Sequence, residues 1–338
     1  MLSKEPAVTV LMVAYKGNEH LREAIESVLG QNFRDMELLI VLDPHPDDIC
    51  EEMIRTFEDN RIRLVKNERR IGLVRSRNKG LGLAKGEFIA VMDSDDISMP
   101  KRLEKSIDYL LRNEDCALVG GLCQVIDDKG NIIKDAAPLR SEEEFFYRLF
   151  FYNQLPHSSV MMRTEEALKV GGYREKFAIG EDYDLYLRLM KRGRIHQLPE
   201  NLVKWRAYDS SVTSKEPELM ESEVVLIVKE NFKRMLGLEI AREDILLYLD
   251  NSIKGRDIAS ISNSLKNLLR INTMILQTAP EWMDEKRLKR IMKEKYHSLL
   301  TGQIVSNKGP RSLIIMIMNP IRMPGLFAHG IRTLLGFR

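Results

Sequence analysis

Four short apolar runs restrict what the first third of this 338-residue chain can fold into. They are Val8–Ala14, Leu38–Leu42, Ile62–Val65 and Phe88–Met92, rich in Val, Ile and Leu and interrupted only by Thr9 and Arg63. A strand with one wet face alternates polar and apolar residues, whereas a strand covered on both faces does not. Between the runs lie helical patterns at Asn18–Gln31, Asp47–Glu58 and Leu73–Lys85. In the first of these, Leu21, Ile25, Val28 and Leu29 share one face, with Asn18 as a natural N-cap. Strand and helix in alternation predict an α/β fold built on a doubly wound, mostly parallel sheet. Such sheets bind ligands beyond the carboxyl ends of their strands. Asp43 follows the second run and Asp93 the fourth, so both are expected at that edge.

A fifth apolar run covers Ala117–Val125, and mixed patterns follow from Ser141 to about Thr213. They include helices near Glu142–Tyr152 and Glu181–Arg192, the segment PHSSVMMR, and a Gly171-Gly172 turn. From Pro217 onward the chain reads as almost wholly helical. The expected organisation is a domain over 1–215 and a helical C-terminal extension over 216–338. The segment MLSKEPAVTVLMVAY reads as a first strand and not as a signal peptide. No apolar run approaches the roughly 20 residues that span a bilayer. Hydrophobic residues make up 44% and charged residues 30%, the balance of a folded globular protein. The three cysteines, Cys50, Cys116 and Cys123, form no CxxC pair. They read as buried thiols in a reducing compartment. The scattered histidines offer no zinc motif.

The strongest chemical signal is Asp93-Ser94-Asp95-Asp96, directly after the apolar run Phe88–Met92. Carboxylates this close repel one another. Three arrangements relieve them: capping the helix near Met99–Leu111, sharing a proton, or binding a hard divalent cation through oxygen. Three further segments bear on the choice. Asp43 sits in IVLDPHPDD, where an acid can accept from a base or a ribose or simply form the turn. The segment RRIGLVRSRNKGLGLAKG gathers Arg69, Arg70, Arg75, Arg77 and Lys79. Its glycines spell neither GxGxxG nor GxxxxGK[ST], which excludes a dinucleotide fingerprint and a P-loop there. A basic helix start can still hold a diphosphate. Finally, Glu181-Asp182 precedes an amphipathic helix, as helix-favouring acids or as a general base.

Taken in order, these segments resemble the family 2 glycosyltransferases over about Val8 to Thr213. The stretch TVLMVAYKGNEHLREAIESVLGQNFRDMELLIVLD resembles the family's opening strand, helix and second strand. RRIGLVRSRNKGLGLAKGEFIAVMDSDD resembles its run from G-x-x-x-A-R-N-x-G into D-x-D. VGGYREKFAIGEDYDLYLRL resembles its G-G-[FY] block ending in E-D-x-D-L-W-x-R-L.

The resemblance implies a GT-A fold and an inverting, metal-dependent transfer of sugar from a nucleotide-sugar donor, with UDP expected. Ala14, Tyr15, Asp43, Arg77 and Asp93 would line the nucleotide site. Asp95, with Asp93, would hold Mg²⁺ or Mn²⁺. Asp182 would be the catalytic base, and Glu181 and His157 would shape the acceptor site. The acceptor class implied is a glycan or a lipid-linked glycan, in cell-surface polysaccharide or glycoconjugate synthesis, with no nucleic acid involved. The sequence departs from the family pattern at Lys16, at Leu42 before Asp43, at Pro44-His45-Pro46, and at Tyr208, where His is common.

After Glu294 the chain carries no acid, and an apolar run over Leu313–Met318 lies among basic residues. Residues 309–338 therefore suit an anionic membrane surface or a packed C-terminal helix. The expected location is cytoplasmic, either free or, if the tail binds membrane, on the inner face of the cell membrane. Two alternatives remain at this level. A sugar-nucleotide pyrophosphorylase would carry a Gly-rich loop where Ala14-Tyr15-Lys16-Gly17-Asn18 stands. A catalytically silent glycan-assembly subunit would not need Asp95 and Asp182.

Overall fold

The computed structural model describes residues 5–15, 19–45, 49–139, 141–207, 216–250 and 258–306. These divide into two compact units. One lies within Met1–Phe145 and Asn153–Val224, the other within Phe146–Tyr152 and Val225–Arg338. Asn18, Lys16, Tyr208, Lys215 and the basic tail over 309–338 lie outside the described residues.

The first unit is built on one sheet. Its parallel half runs β3 (Ile62–Lys66), β2 (Met36–Leu42), β1 (Val8–Ala14) and β4 (Phe88–Asp93). These are the four apolar runs of the sequence. β2 is buried at every position, and its one acid, Glu37, is held by the Thr9 hydroxyl and the Arg63 guanidinium. Helices α1 (Glu19–Leu29), α2 (Cys50–Arg55) and α3 (Leu73–Leu83) connect these strands in chain order. On α1, Leu21, Ala24, Ile25 and Val28 are buried, one apolar stripe packed into the sheet's core cluster.

Beyond β4 the sheet becomes mixed. β8 (Met161–Arg163) pairs antiparallel with both β4 and β6 (Cys116–Ile126). β9 (Arg194–Arg206) runs parallel to β6, with β5 (Ile97–Ser98) antiparallel on its far side. β7 (Ile132–Asp135) forms a hairpin with β6. Three more helices belong here: α4 (Arg102–Arg112), α6 (Thr164–Lys169) and α7 (Glu181–Leu189). A single 3₁₀ turn at His157–Ser159 precedes β8. Helix α5 (Glu142–Leu149) begins in this unit.

The second unit is helical: α8 (Pro217–Leu236) from Val225 onward, α9 (Arg242–Asp250), α10 (Ile258–Thr278) and α11 (Glu285–Ser306). Phe150, Phe151, Phe232 and Tyr248 form its aromatic centre, with ring centroids 5.6–6.3 Å apart. The Tyr147 hydroxyl donates to Asn272 Oδ1 at 3.1 Å, which satisfies a buried polar group inside that core. Among the described residues, no helix is long and apolar enough to cross a membrane.

Candidate active site

Strand register decides which side chains meet. Ala14 pairs with Leu42, and Val13 pairs with Asp93. β1, β2 and β4 therefore end level, and Tyr15, Asp43 and Asp93 emerge at one sheet edge. The Asp43 N–H donates to the Ala14 carbonyl at 2.8 Å, which closes the edge. Tyr15 has His45 edge-on, with centroids 5.1 Å apart, and the Arg70 guanidinium 4.3 Å from its ring centroid. That is an aromatic and cationic surface at the sheet edge. The sequence reading held Arg70 only as part of a basic stretch. Its partner lies across the fold, so spacing could not reveal it.

Asp43 is 2% exposed, and its carboxylate is occupied by the chain itself. Oδ1 accepts from Ile71 N at 2.8 Å and Asn67 Nδ2 at 3.0 Å, and Oδ2 accepts from Gly72 N at 2.9 Å. Gly72, at φ 90°, takes the left-handed conformation that starts α3. Asp43 thus moulds the loop that delivers Arg77. Asp43→Ala would strand two part-buried main-chain donors, Ile71 and Gly72, and take one of two acceptors from the buried Asn67 amide, and is expected to cost on the order of 1–3 kcal/mol of stability. An unchanged urea midpoint would refute this account of the loop.

The acid cluster resolves into three different environments. Asp93 Oδ1 accepts from Arg77 Nη2 at 2.7 Å. Burial alone would raise this carboxyl, but its neighbours, Arg77 first and the Ser158 hydroxyl among them, together hold the group below the usual aspartate range. Asp96 is 1% exposed, accepts from the Arg206 N–H at 2.8 Å, and receives the Ser158 hydroxyl. Burial, with Asp93 and Asp95 nearby, pushes its carboxyl well up. Asp95 between them is half-buried, and its main-chain oxygen accepts from Arg206 Nε at 2.9 Å. The capping arrangement is not formed: α4 starts at Arg102, with Lys101 as its N-cap and no side-chain cap bond.

Arg77 is the centre of the site. It is 5% exposed and donates through Nη2 to Asp93 and through Nη1 to Glu181. Its own ionisation is strengthened, since Asp93 and Glu181 outweigh the burial that opposes it. One guanidinium therefore joins the end of β4 to the start of α7. Glu181 is 4% exposed, and its second oxygen, Oε2, is buried without a hydrogen-bond partner. Burial raises its carboxyl and Arg77 only partly offsets this.

Asp182 follows directly. Its Oδ2 accepts from Asn153 Nδ2 at 2.9 Å and its Oδ1 from the Tyr183 N–H at 2.6 Å. Burial, then the charge of Glu181, pushes its carboxyl up to about 7. His157 lies beneath the same cluster. Its Nδ1 is 2.7 Å from the Tyr186 hydroxyl and its Nε2 is 3.3 Å from the Tyr173 hydroxyl. Burial and Arg77 push the imidazole down to about 3, so it stays neutral. Both ring nitrogens are engaged by tyrosines of the fold.

Sequence reasoning missed Asn153, Ser158, Arg102 and Arg206. Ser158 Oγ also accepts from the Asp93 N–H at 3.1 Å, tying the 3₁₀ turn to the acid cluster. Arg102, 1% exposed, donates to the Val91 and Val160 carbonyls at 2.6 and 3.2 Å. Burial pulls it down to about 10, yet it remains a cation behind Asp93 and Asp96. Arg206 adds donations to Glu23 Oε2 at 2.6 Å and to the Asp127 and Asp128 carbonyls at 3.1 and 2.8 Å. None of these sits in a periodic pattern, and each acts through partners distant in sequence.

The family described as "Glycosyl transferase family 2" matches residues 9–168. An uncharacterized glycosyltransferase of Methanocaldococcus jannaschii is 36% identical over 206 residues, 60% of this chain and 71% of its own. An Escherichia coli relative, named as UDP-Glc:alpha-D-GlcNAc-diphosphoundecaprenol beta-1,3-glucosyltransferase WfgD, is 28% identical over 212 residues, 61% of this chain and 79% of its own. Among solved structures, the mannosyltransferase PcManGT of Pyrobaculum calidifontis, in complex with GDP-Man and Mn²⁺, matches with a TM-score of 0.53 at 12% identity. That alignment covers 99% of this chain and 88% of the other, and it supports a GT-A type fold with a helical C-terminal region. With the family match over residues 9–168 and 36% identity across 71% of the archaeal relative, the chain belongs to glycosyltransferase family 2.

Proposed function

We propose that the chain transfers a sugar, with inversion, from a nucleotide-diphosphate donor to a hydroxyl of a glycan or lipid-linked acceptor. A UDP-sugar is the donor we favour, and cell-surface polysaccharide synthesis the setting. The observation that carries this reading is Arg77, which joins Asp93 to Glu181 beside an Asp182 poised at about 7. A base for a hydroxyl works best with a pKa near the working pH. Asp182 would accept the acceptor's proton as the hydroxyl attacks. Asn153 would orient it by holding Oδ2.

At the donor end, Tyr15, Arg70 and His45 would pack against the base and ribose, with Ala14 at the floor. Arg77 would keep Asp93 ionised and aligned. The donor set suits a hard cation: a half-buried Asp95 carboxylate, its turn fixed by Arg206, with Asp93 behind it. Among the described residues, no three His, Cys, Asp or Glu side chains gather around one point as a metal cage. Mg²⁺ commonly sits on one or two carboxylates and completes its shell with substrate phosphate and water. Bound there, Mg²⁺ or Mn²⁺ would neutralise charge building on the departing diphosphate. The Mn²⁺ and GDP-Man named for the archaeal mannosyltransferase, and the UDP-Glc and diphosphoundecaprenol named for the E. coli relative, agree with this assignment of classes.

Titration calorimetry with UDP, GDP, dTDP and CMP tests it, each run with Mn²⁺ and with EDTA. One nucleoside diphosphate should bind with Mn²⁺, and that binding should be lost with EDTA and in Asp95→Ala. Folded protein that binds none of the four would sink the reading.

A further inference from the structure

The helix that carries Asp182 is held from outside its own segment. Glu223, on α8, accepts three consecutive main-chain N–H groups: Ala178 at 2.8 Å on Oε1, and Ile179 and Gly180 at 2.9 Å on Oε2. The residue is 7% exposed, so this is a buried carboxylate seated in a nest of backbone donors. Gly180 is the N-cap of α7, where no side chain of the segment makes a cap bond. The first turn of α7 already carries Glu181, Asp182 and Asp184. A fourth carboxylate beside three is electrostatically unfavourable, and Glu223 adds to the rise of the Glu181 carboxyl. Geometry is what this residue supplies. Asp184 is neutralised by Arg174 and Arg188, so the remaining negative charge falls on the Glu181–Asp182 pair, which Arg77 offsets only in part.

We propose that Glu223 is the positioning residue for Asp182, fixing where α7 begins and so where the Asp182 carboxylate stands beside Asn153, Glu181 and Arg77. The inference rests on the reading of Asp182 as the base. No family motif quoted above reaches Glu223. It follows Asp182 by a stretch that includes β9, and its bonds join one end of α8 to one loop.

Two measurements on the full chain test it. Hydrogen exchange followed on peptides spanning 177–183 reads the loop directly. Glu223→Gln offers one acceptor oxygen to three donors, so exchange there should quicken roughly tenfold or more. The second measurement is nucleotide release from UDP-glucose, UDP-GlcNAc and GDP-mannose with Mn²⁺, where water replaces the acceptor. In Glu223→Gln, kcat should fall roughly 10- to 100-fold while the donor KM stays within about twofold. The acid limb of the pH profile should also move down, because a negative charge beside the Glu181–Asp182 pair is removed. The other groups coupled to Asp182 are Arg77, Asp93, Tyr173 and Tyr186, and none of them is altered. Glu223→Asp keeps the charge, and should leave the limb in place while restoring part of the rate. It also serves if the Gln variant does not fold. Unchanged exchange over 177–183, or an unchanged kcat with an unmoved limb, would overturn the proposal. Wild-type protein that releases no nucleotide from any of the donors would overturn the base reading. The exchange result would then stand alone as a statement about the loop.

Discussion

Asp182→Asn is expected to lower transfer by roughly 10²- to 10⁴-fold and to leave metal-dependent nucleotide binding intact. The amide keeps the shape of the side chain and its bond from Asn153 can be replaced, but it cannot take a proton. The pH dependence follows from the same carboxyl. Burial and Glu181 raise it to about 7, so in wild type kcat/KM should climb as pH rises through about 7 and then level off. That limb should vanish from the residual activity of the Asn variant. Stability should move the opposite way. A carboxyl raised on folding is most favourable to the fold while protonated, below its unfolded value. Its contribution is lost as pH rises through about 7. Asp182→Asn should therefore melt higher than wild type above neutral pH, and close to wild type near pH 4. Near-normal transfer by the variant would remove Asp182 from the chemistry. A melting difference independent of pH would remove the electrostatic account of its environment.

What the sequence could reveal follows from burial. β1, β2 and β4 were legible because strands covered on both faces are almost wholly apolar, whereas β3, half-buried along Ile62–Val65, was legible from Ile62, Leu64 and Val65 alone. β8 and β5, at 3 and 2 residues, are too short to hold a pattern. β9 escaped notice for another reason: Pro199, Glu200 and Asn201 interrupt it where it shifts register against β6. The acid cluster was legible as a site, but the separate environments of its members were not. The Asp96 carboxylate is set apart from that of Asp95 by burial and by Ser158 and the Arg206 N–H, which arrive from turn and β-strand segments far along the chain. Asp43 shows the same limit. Its place at a strand end was predicted, while its engagement with Asn67, Ile71 and Gly72 is a property of loop geometry. Glu223 reads in sequence as one more acid on a helix face, and only the folded chain brings Ala178–Gly180 to it.

Arg77→Met should be the most destabilising single change in the site. The guanidinium is 5% exposed and is the shared partner of Asp93 and Glu181. Removing one member of a buried ionic group leaves the others uncompensated, at a cost of roughly 3–5 kcal/mol. Glu181 is the worse placed of the two, because its Oε2 already lacks a partner. Arg77→Lys should recover little, since one ammonium cannot reproduce the fork that reaches two carboxylates on different elements. Acid should narrow the gap between variant and wild type. In wild type, Arg77 holds Asp93 below its ordinary range, so the stability this pair contributes is present at neutral pH. It is lost as pH falls through that depressed value. Urea unfolding at pH 7 and again near pH 3.5 measures both predictions. A variant of near wild-type stability at pH 7 would mean that Asp93 and Glu181 find other partners. Arg77 would then be a ligand contact rather than the joint between the strand-end acids and the helix that carries the base.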